Sequence, residues 1–290
     1  MIERKDITEE IKSFRNRMNA NDKSLSVLDK DCVRDYAILS AYRDMQLRTI
    51  KGHKMSYTDE LRETLAQEFV KYFQSPSPTT REDFDKIHKG LCEGFLNGLN
   101  EVFARYKLAK QEFGKAQKVI NMTFKYLYCF DDAEKFEDYF RFCHMPIDSY
   151  TLNWCFDNAL YVKKDITNWS GIKEGQYYHL SDKIRVKLSE EAPLLVEFKI
   201  WPQEIAKVEE KELAKAILEY LANNYEVYCS SGSFVKSTGG GLKEVVNRKI
   251  KDLNHDRDLD GLVYLDKAKL SEMLGTLSVS SLFKEIEKSL

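Results

Sequence analysis

Proline and glycine are scarce in this chain. Its 290 residues hold five prolines and 13 glycines; the first 75 residues contain no proline and none follows Pro202. So few breakers favour long helices over turn-rich sheets. No apolar run approaches the roughly 18 residues of a membrane span, so no transmembrane helix is expected. The charged start MIERKDITEEIKSFRNR lacks the apolar stretch of a secretory signal. The six cysteines, at 32, 92, 129, 143, 155 and 229, include no CxxC pair and lie mostly among apolar or aromatic neighbours. They read as reduced, buried thiols of a cytoplasmic protein. An excess of either charge is missing as well. Forty-five Lys/Arg against 47 Asp/Glu leave a net charge of −2, which excludes a protein that coats nucleic acid and an acidic solvating tail.

What is present is a globular composition, 43% apolar, 12% aromatic and 32% charged, with too many aromatics for disorder. The length reaches the point where one core splits into two. The expected fold is mainly α: a multi-helix N-terminal body over residues 1–205 and a small α+β domain over 206–290. Helical spacing covers 25–42 and 58–73, where Leu61, Leu65, Phe69 and Phe73 share a stripe. SPSPTT at 75–80 is a linker ending in a helix start, with Thr80 as cap and Asp83 three residues on. The pattern then predicts a long helix over about 100–130, another over 133–143, a helix opening at Pro146 and Asp148, and one over 177–190. Further on, a charged helix spans about 209–223, YEVYC at 225–229 reads as a strand, and SSGSFVKSTGGG reads as a loop.

Charge is segregated even though the total is balanced. Residues 101–128 carry six basic and two acidic side chains, and the ten that follow carry five acids and one base. At helical spacing Phe113, Ala116, Ile120, Phe124 and Leu127 form an apolar face, while Gln117, Asn121 and Lys125 stack on a neighbouring stripe with Lys118 and Gly114 a turn earlier. Two amides and an ammonium in a row suit a phosphate, a carboxylate or a base edge. They equally suit a polar face, or a buried amide pair that bonds neighbouring backbone. Glycine inside a helix costs about 1 kcal/mol relative to alanine, which is tolerable where something packs closely against it.

The segment FGKAQKVINMTFKYLYCF followed by CHMPID resembles a motif pair of uncharacterised bacterial and phage proteins: Gly114, Lys115, Ala116, Gln117, Lys118, Asn121 and Lys125, then His144, Pro146 and Asp148. The resemblance covers about 35 residues closely and implies candidates, a bacterial or phage origin, and no mechanism. His144 and Asp148 stand four apart around a proline. Asp148 at a helix start suits a cap; joined to the Lys/Gln/Asn stripe, the two would act as acid and base.

Three other constellations carry chemistry on paper. Arg81 and His88, six residues between them, are similar to the Arg-x(4–6)-His pair of HEPN-type ribonucleases, in which such a pair would manage proton and charge at an RNA 2′-hydroxyl. Asp256, Asp258, Asp260 and Gly261 match the start of an EF-hand-like calcium loop, but position 12 is Lys267 instead of a glutamate. Apart from that calcium, no cofactor is expected. Glu197-x-Lys199 matches the later half of a restriction-type nuclease signature in surroundings that read as helical; its upstream acid would be Asp182. The leading functional expectation is binding of nucleic acid or a nucleotide-like anion by Lys115, Gln117, Lys118, Asn121 and Lys125, with no membrane partner. The alternatives are a hydrolase or nuclease using His144 and Asp148, or the Arg81/His88 pair, and an interaction protein whose polar motif only locks helices together.

Overall fold

The computed structural model describes residues 3–45, 58–189, 191–224, 227–228 and 234–235. The chain divides into two compact units, Met1–Glu204 and Ile205–Leu290. The described part is helical. α1 is Thr8–Arg17. A continuous run follows: α2, Lys30–Cys32, then a π-helical turn Val33–Ile38, then α3, Leu39–Asp44. Next come α4 (Asp59–Gln74), α5 (Arg81–Arg105), α6 (Phe113–Tyr128), α7 (Glu137–Phe140), α8 (Ser149–Asp157), α9 (Glu174–Leu188) and α10 (Pro193–Asn224). Val227–Tyr228 pairs antiparallel with Phe234–Val235, which puts two residues of the Ser/Gly-rich stretch into a strand. Most of the expected C-terminal α+β domain lies outside the described residues, as do Asp256, Asp258 and Asp260.

α6 is the axis of the first unit. All sixteen of its residues are buried, and it packs against α5, α3, the π-helical turn, α9 and the 3₁₀ turn Trp169–Gly171. A helix covered on every side must satisfy its polar residues within the protein. Its apolar face does so by ring packing. Phe124 meets Phe69 of α4 edge-on with centroids 4.9 Å apart and Tyr72 at 5.4 Å, and each fully buried phenylalanine stabilises by about 1.5–3 kcal/mol.

The single helix expected over 100–130 is two. α5 ends in a Schellman arrangement: Leu108 N–H bonds to Phe103 O at 2.9 Å, Lys107 N–H to Ala104 O at 3.0 Å, and Lys107 takes φ 56°. Glycine usually fills that left-handed position; here a lysine does, so the sequence carries no breaker signal. Asn100 then clamps the reversing chain, accepting from Gln111 N–H at 2.7 Å and donating to its carbonyl at 3.3 Å. Pro146, expected inside the first turn of a helix, precedes it. Asp148 is the N-cap of α8, accepting from Tyr150 and Thr151 N–H at 2.9 and 3.0 Å, while the Thr151 hydroxyl accepts from Asp148 N–H.

Gly114 is the second residue of α6, and its N–H donates to Ile172 O at 2.8 Å. A Cβ there would overlap the Trp169 carbonyl oxygen, a backbone atom that cannot swing aside. Gly114→Ala should therefore lower stability by about 1–3 kcal/mol from overpacking, against a helix-propensity gain of at most about 1 kcal/mol. Urea unfolding checks this; an unchanged or raised midpoint would refute the close packing.

Candidate functional site

The polar residues of α6 fall into two groups on two sides. Gln117 and Asn121 face a hydrogen-bonded chain, and the bonding around the two amides orients it. Ile147 pairs with Gln117 like a strand neighbour: its N–H donates to Oε1 at 3.1 Å and its carbonyl accepts from Nε2 at 2.7 Å. That fixes Gln117 Oε1, which accepts from Asn121 Nδ2 at 3.1 Å and so orients the second amide. Asn121 Oδ1 must then accept from His88 Nε2–H at 2.9 Å, leaving His88 Nδ1 to accept from the Tyr178 hydroxyl at 3.0 Å. Asn121 Nδ2 also donates to the Tyr177 hydroxyl at 2.8 Å. The Tyr177 proton is therefore directed at His144 Nδ1, 2.8 Å away, and His144 Nε2–H at Asp85, 2.7 Å away. Arg185 forks onto the same Asp85 carboxylate, and its Nη2 also touches His144 Nε2.

Both imidazoles in this chain are neutral. Burial pushes His88 well below the ordinary histidine value, and the His144 ring beside it adds to the effect. Burial also lowers His144, against the opposing pull of Asp85. Asp85 goes the other way: burial would raise it, but the Arg185 and His144 hydrogen bonds hold it well below the carboxylate range.

Lys118 and Lys125 face the other side. Lys118 bonds Asp148 at 2.7 Å, both nearly buried. Burial alone would raise the Asp148 carboxyl; the Lys118 charge and the α8 amides hold it low. Lys125 and Glu197 of α10 are completely buried and in direct contact. No further hydrogen-bond partner reaches either head among the described residues. The ammonium lies over the rings of Phe14 at 4.0 Å, Phe198 at 4.6 Å and Trp201 at 5.5 Å, contacts that favour its charged form. Burial pushes Lys125 down and Glu197 up, each opposed by the other's charge.

These two ion pairs line a cavity of about 190 Å³. Arg17, Arg43 and Asp44 add charges to its wall, and Tyr150, Trp169 and Trp201 add ring faces. Arg17 is tied to Asp44 at 2.6 Å and lies over Trp201. Arg43 is exposed and forms no ion pair among the described residues. A larger cavity of about 490 Å³ lies between α4 and α5; Leu61, Leu65, Ile87, Leu91 and Phe95 line it, and no motif residue does.

The expected sites divide accordingly. Lys118, Lys125 and Asp148 come together at the cavity. Lys115 is buried and does not line it. Gln117 and Asn121 are spent on the internal chain. His144 and Asp148 do not form an acid–base pair, because His144 is held by Tyr177 and Asp85 and Asp148 by Lys118 and a helix cap. The HEPN-like pairing fails on position too: His88 is fully buried with both ring nitrogens bonded and meets no substrate. Among the described residues no cluster of His, Cys, Asp or Glu could hold a metal ion. Sequence reasoning missed Arg17, Arg43, Asp44 and Trp201. It met Glu197 in another role, although a lone acid in the apolar run LLVEFKIW signals a buried partner. The chain matches no protein-family model, no curated protein and no solved structure.

Two outcomes follow. Removing the Asn121 amide leaves His88 Nε2–H and the Tyr177 hydroxyl short of a partner, so Asn121→Ala should cost about 2 kcal/mol or more in urea unfolding; a loss below about 0.5 kcal/mol would contradict the bonding chain. The pH dependence has a definite sign. Below about pH 6.5 unfolded histidines take up protons that the folded His88 and His144 refuse, so stability falls with falling pH, by up to about 1.4 kcal/mol per pH unit for each ring. Glu197, held high, opposes this in the acid range. Asp85 and Asp148, held low, withdraw their own contribution only below their unfolded value of 3.8. Ring proton shifts that titrate near pH 6.5 in the folded state would overturn the assignment of neutral, locked imidazoles.

Proposed function

We propose that the protein binds one small anion of mononucleotide type in the cavity beside α6, rather than a nucleic-acid strand along that helix. The observation that carries this reading is the state of Lys125 and Glu197. An ammonium has three donors and a carboxylate about four acceptor sites; these two heads satisfy one contact of each other, and both line a cavity. On the Gln117–Asn121 side, by contrast, the bonds are complete. A lock needs complete bonds; a binding site keeps some open for its ligand.

The rest of the wall fits the same chemistry. Arg43 and Lys118 offer positive charge for a phosphate or carboxylate, and Trp169, Trp201 and Tyr150 offer ring faces for a flat group. At about 190 Å³ the cavity is smaller than the roughly 300–1,000 Å³ of a drug-sized pocket. One compact ligand, or one end of a larger one, is its scale. A strand of nucleic acid would need a basic surface, and the lysines of α6 are buried. The remaining polar groups of the motif act as the helix lock of the alternative reading, so the motif does two jobs on two sides.

The wider setting is part of the proposal. A cytoplasmic location is supported by the buried free thiols of Cys92, Cys129, Cys143 and Cys155, and no described helix is long and apolar enough to cross a membrane. A small α+β domain over 206–290 and a bacterial or phage origin rest on the sequence pattern.

Titration calorimetry and tryptophan fluorescence with nucleoside monophosphates test the proposal. Saturable binding is expected, weakened about tenfold by Arg43→Gln, whose melting temperature should stay at the wild-type value because the exposed Arg43 side chain forms no ion pair among the described residues. No binding by any monophosphate, or binding indifferent to Arg43→Gln, would sink it. So would preferential capture of a single-stranded oligonucleotide with steep loss between about 50 and 300 mM salt, the mark of many phosphate contacts.

A further inference from the structure

Arg81, left without a role once His88 proved to be buried, belongs to a different constellation. A cavity of about 130 Å³ is lined by Arg81, Arg141, Arg185, Phe142, Glu191 and Pro193. Three arginines from three separate segments thus line one small space together with one glutamate. Arg81 is the first residue of α5 and Pro193 the first of α10, so the positive ends of two long helices border the same space. Arg185 is buried, Arg81 half-buried and Arg141 exposed; like charges gathered in one place repel unless an anion joins them, and the partners in view are few. Arg185 is anchored on Asp85 and Asp182. Arg81 makes one long bond, 3.4 Å to the Ser189 carbonyl. Arg141 lies over the Phe142 ring at 5.5 Å and, like Arg81, forms no ion pair among the described residues. Several arginines elsewhere in the same unit are matched with acids: Arg4 with Glu134, Arg15 with Asp131, Arg34 with Glu63.

The geometry points to a binding site for a tetrahedral oxyanion, a phosphate or phosphomonoester group, held by Arg81, Arg141 and Arg185. Guanidinium groups present planar pairs of donors that match such oxygens. Arg185, fixed by Asp85, supplies a rigid floor, while Arg81 and Arg141 close on the anion from the rim. The site is separate from the cavity beside α6 and does not rest on the function proposed for it. Inorganic phosphate and a phosphomonoester such as phosphoserine share this chemistry, and a test with both distinguishes the free ion from a group carried on a larger molecule.

The test uses the full chain, with calorimetry or phosphorus NMR against inorganic phosphate and phosphoserine. Saturable binding of at least one is expected. Arg81→Gln and Arg141→Gln should each weaken it about tenfold or more, and Arg43→Gln at the other cavity should leave it unchanged. Both rim arginines bond little, so the variants should fold with wild-type melting temperatures. Binding of phosphate alone assigns the site to the free ion, and tighter binding of an organic phosphate assigns it to a carried group. Absence of binding by both, or binding that survives both rim substitutions, would overturn the proposal. Loss on Arg43→Gln alone would instead assign the phosphate to the other cavity.

Discussion

The structure depends on the cost of burying a polar helix on every side. α6 carries Lys115, Gln117, Lys118, Asn121 and Lys125 within eleven residues, and all are buried. An ion moved into such an interior loses several kcal/mol of hydration even after relaxation, and an unmade hydrogen bond costs about 1–3 kcal/mol. Every segment around α6 is therefore obliged to deliver a particular partner to a particular place: the Ile147 main chain to Gln117, His88 and Tyr177 to Asn121, Asp148 to Lys118, Glu197 to Lys125. A buried ion pair adds little net stability over a well-packed apolar filling. Its effect is a penalty on arrangements that leave a partner missing. α5, the 143–148 segment, α9 and α10 each supply at least one of these partners, so the registers of four elements are tied to one helix.

The same requirement separates lock from site. Gln117 makes four bonds and Asn121 at least three, all to protein groups. Nothing is left over for a ligand. Among the described residues the Lys125 and Glu197 heads have no polar partner but each other, in contact with a cavity. Counting bonds along one helix thus gives different answers for residues four apart, which neither composition nor residue type would do.

Much of the fold was legible because it follows periodicity. Scarce proline and helical spacing gave the helical body, Thr80 gave the start of α5, and the apolar face of α6 gave its place in the core. The break at 106–112 was not legible because a lysine occupies the left-handed position normally marked by glycine. The site was half legible. Lys118, Lys125 and Asp148 were found because unlike residues at helical spacing are visible in one segment. Arg17, Arg43 and Trp201 were not, since they converge from distant segments and nothing local announces them. His144 was misjudged for the same reason. Its adjacency to Asp148 in sequence suggested a pair, but the cap that turns Asp148 toward α8 and Lys118 separates the two side chains' networks. The near-neutral total charge hid pairing of this kind, because it averages cations and anions that the fold brings together one by one.

The polar chain through α6 also has a direction. From Tyr177 outward, protons point to His144 and then to Asp85; from Asn121 the carbonyl side faces His88 and Tyr178. A relay that moves a proton along such a chain must be able to invert each link in turn. Here inversion stops at Asn121. Flipping its amide would set its oxygen against Gln117 Oε1 and its NH₂ against the His88 N–H, and Gln117 is itself held at both ends by Ile147. The chain therefore passes no proton between its two neutral imidazoles. Its outer end is Asp85, which also anchors Arg185, so the arginine cavity and the lock share one carboxylate. A change of charge at that cavity is felt first at His144, through its contacts with Arg185 and Asp85, and reaches α6 as altered hydrogen-bond strength rather than as a transferred proton.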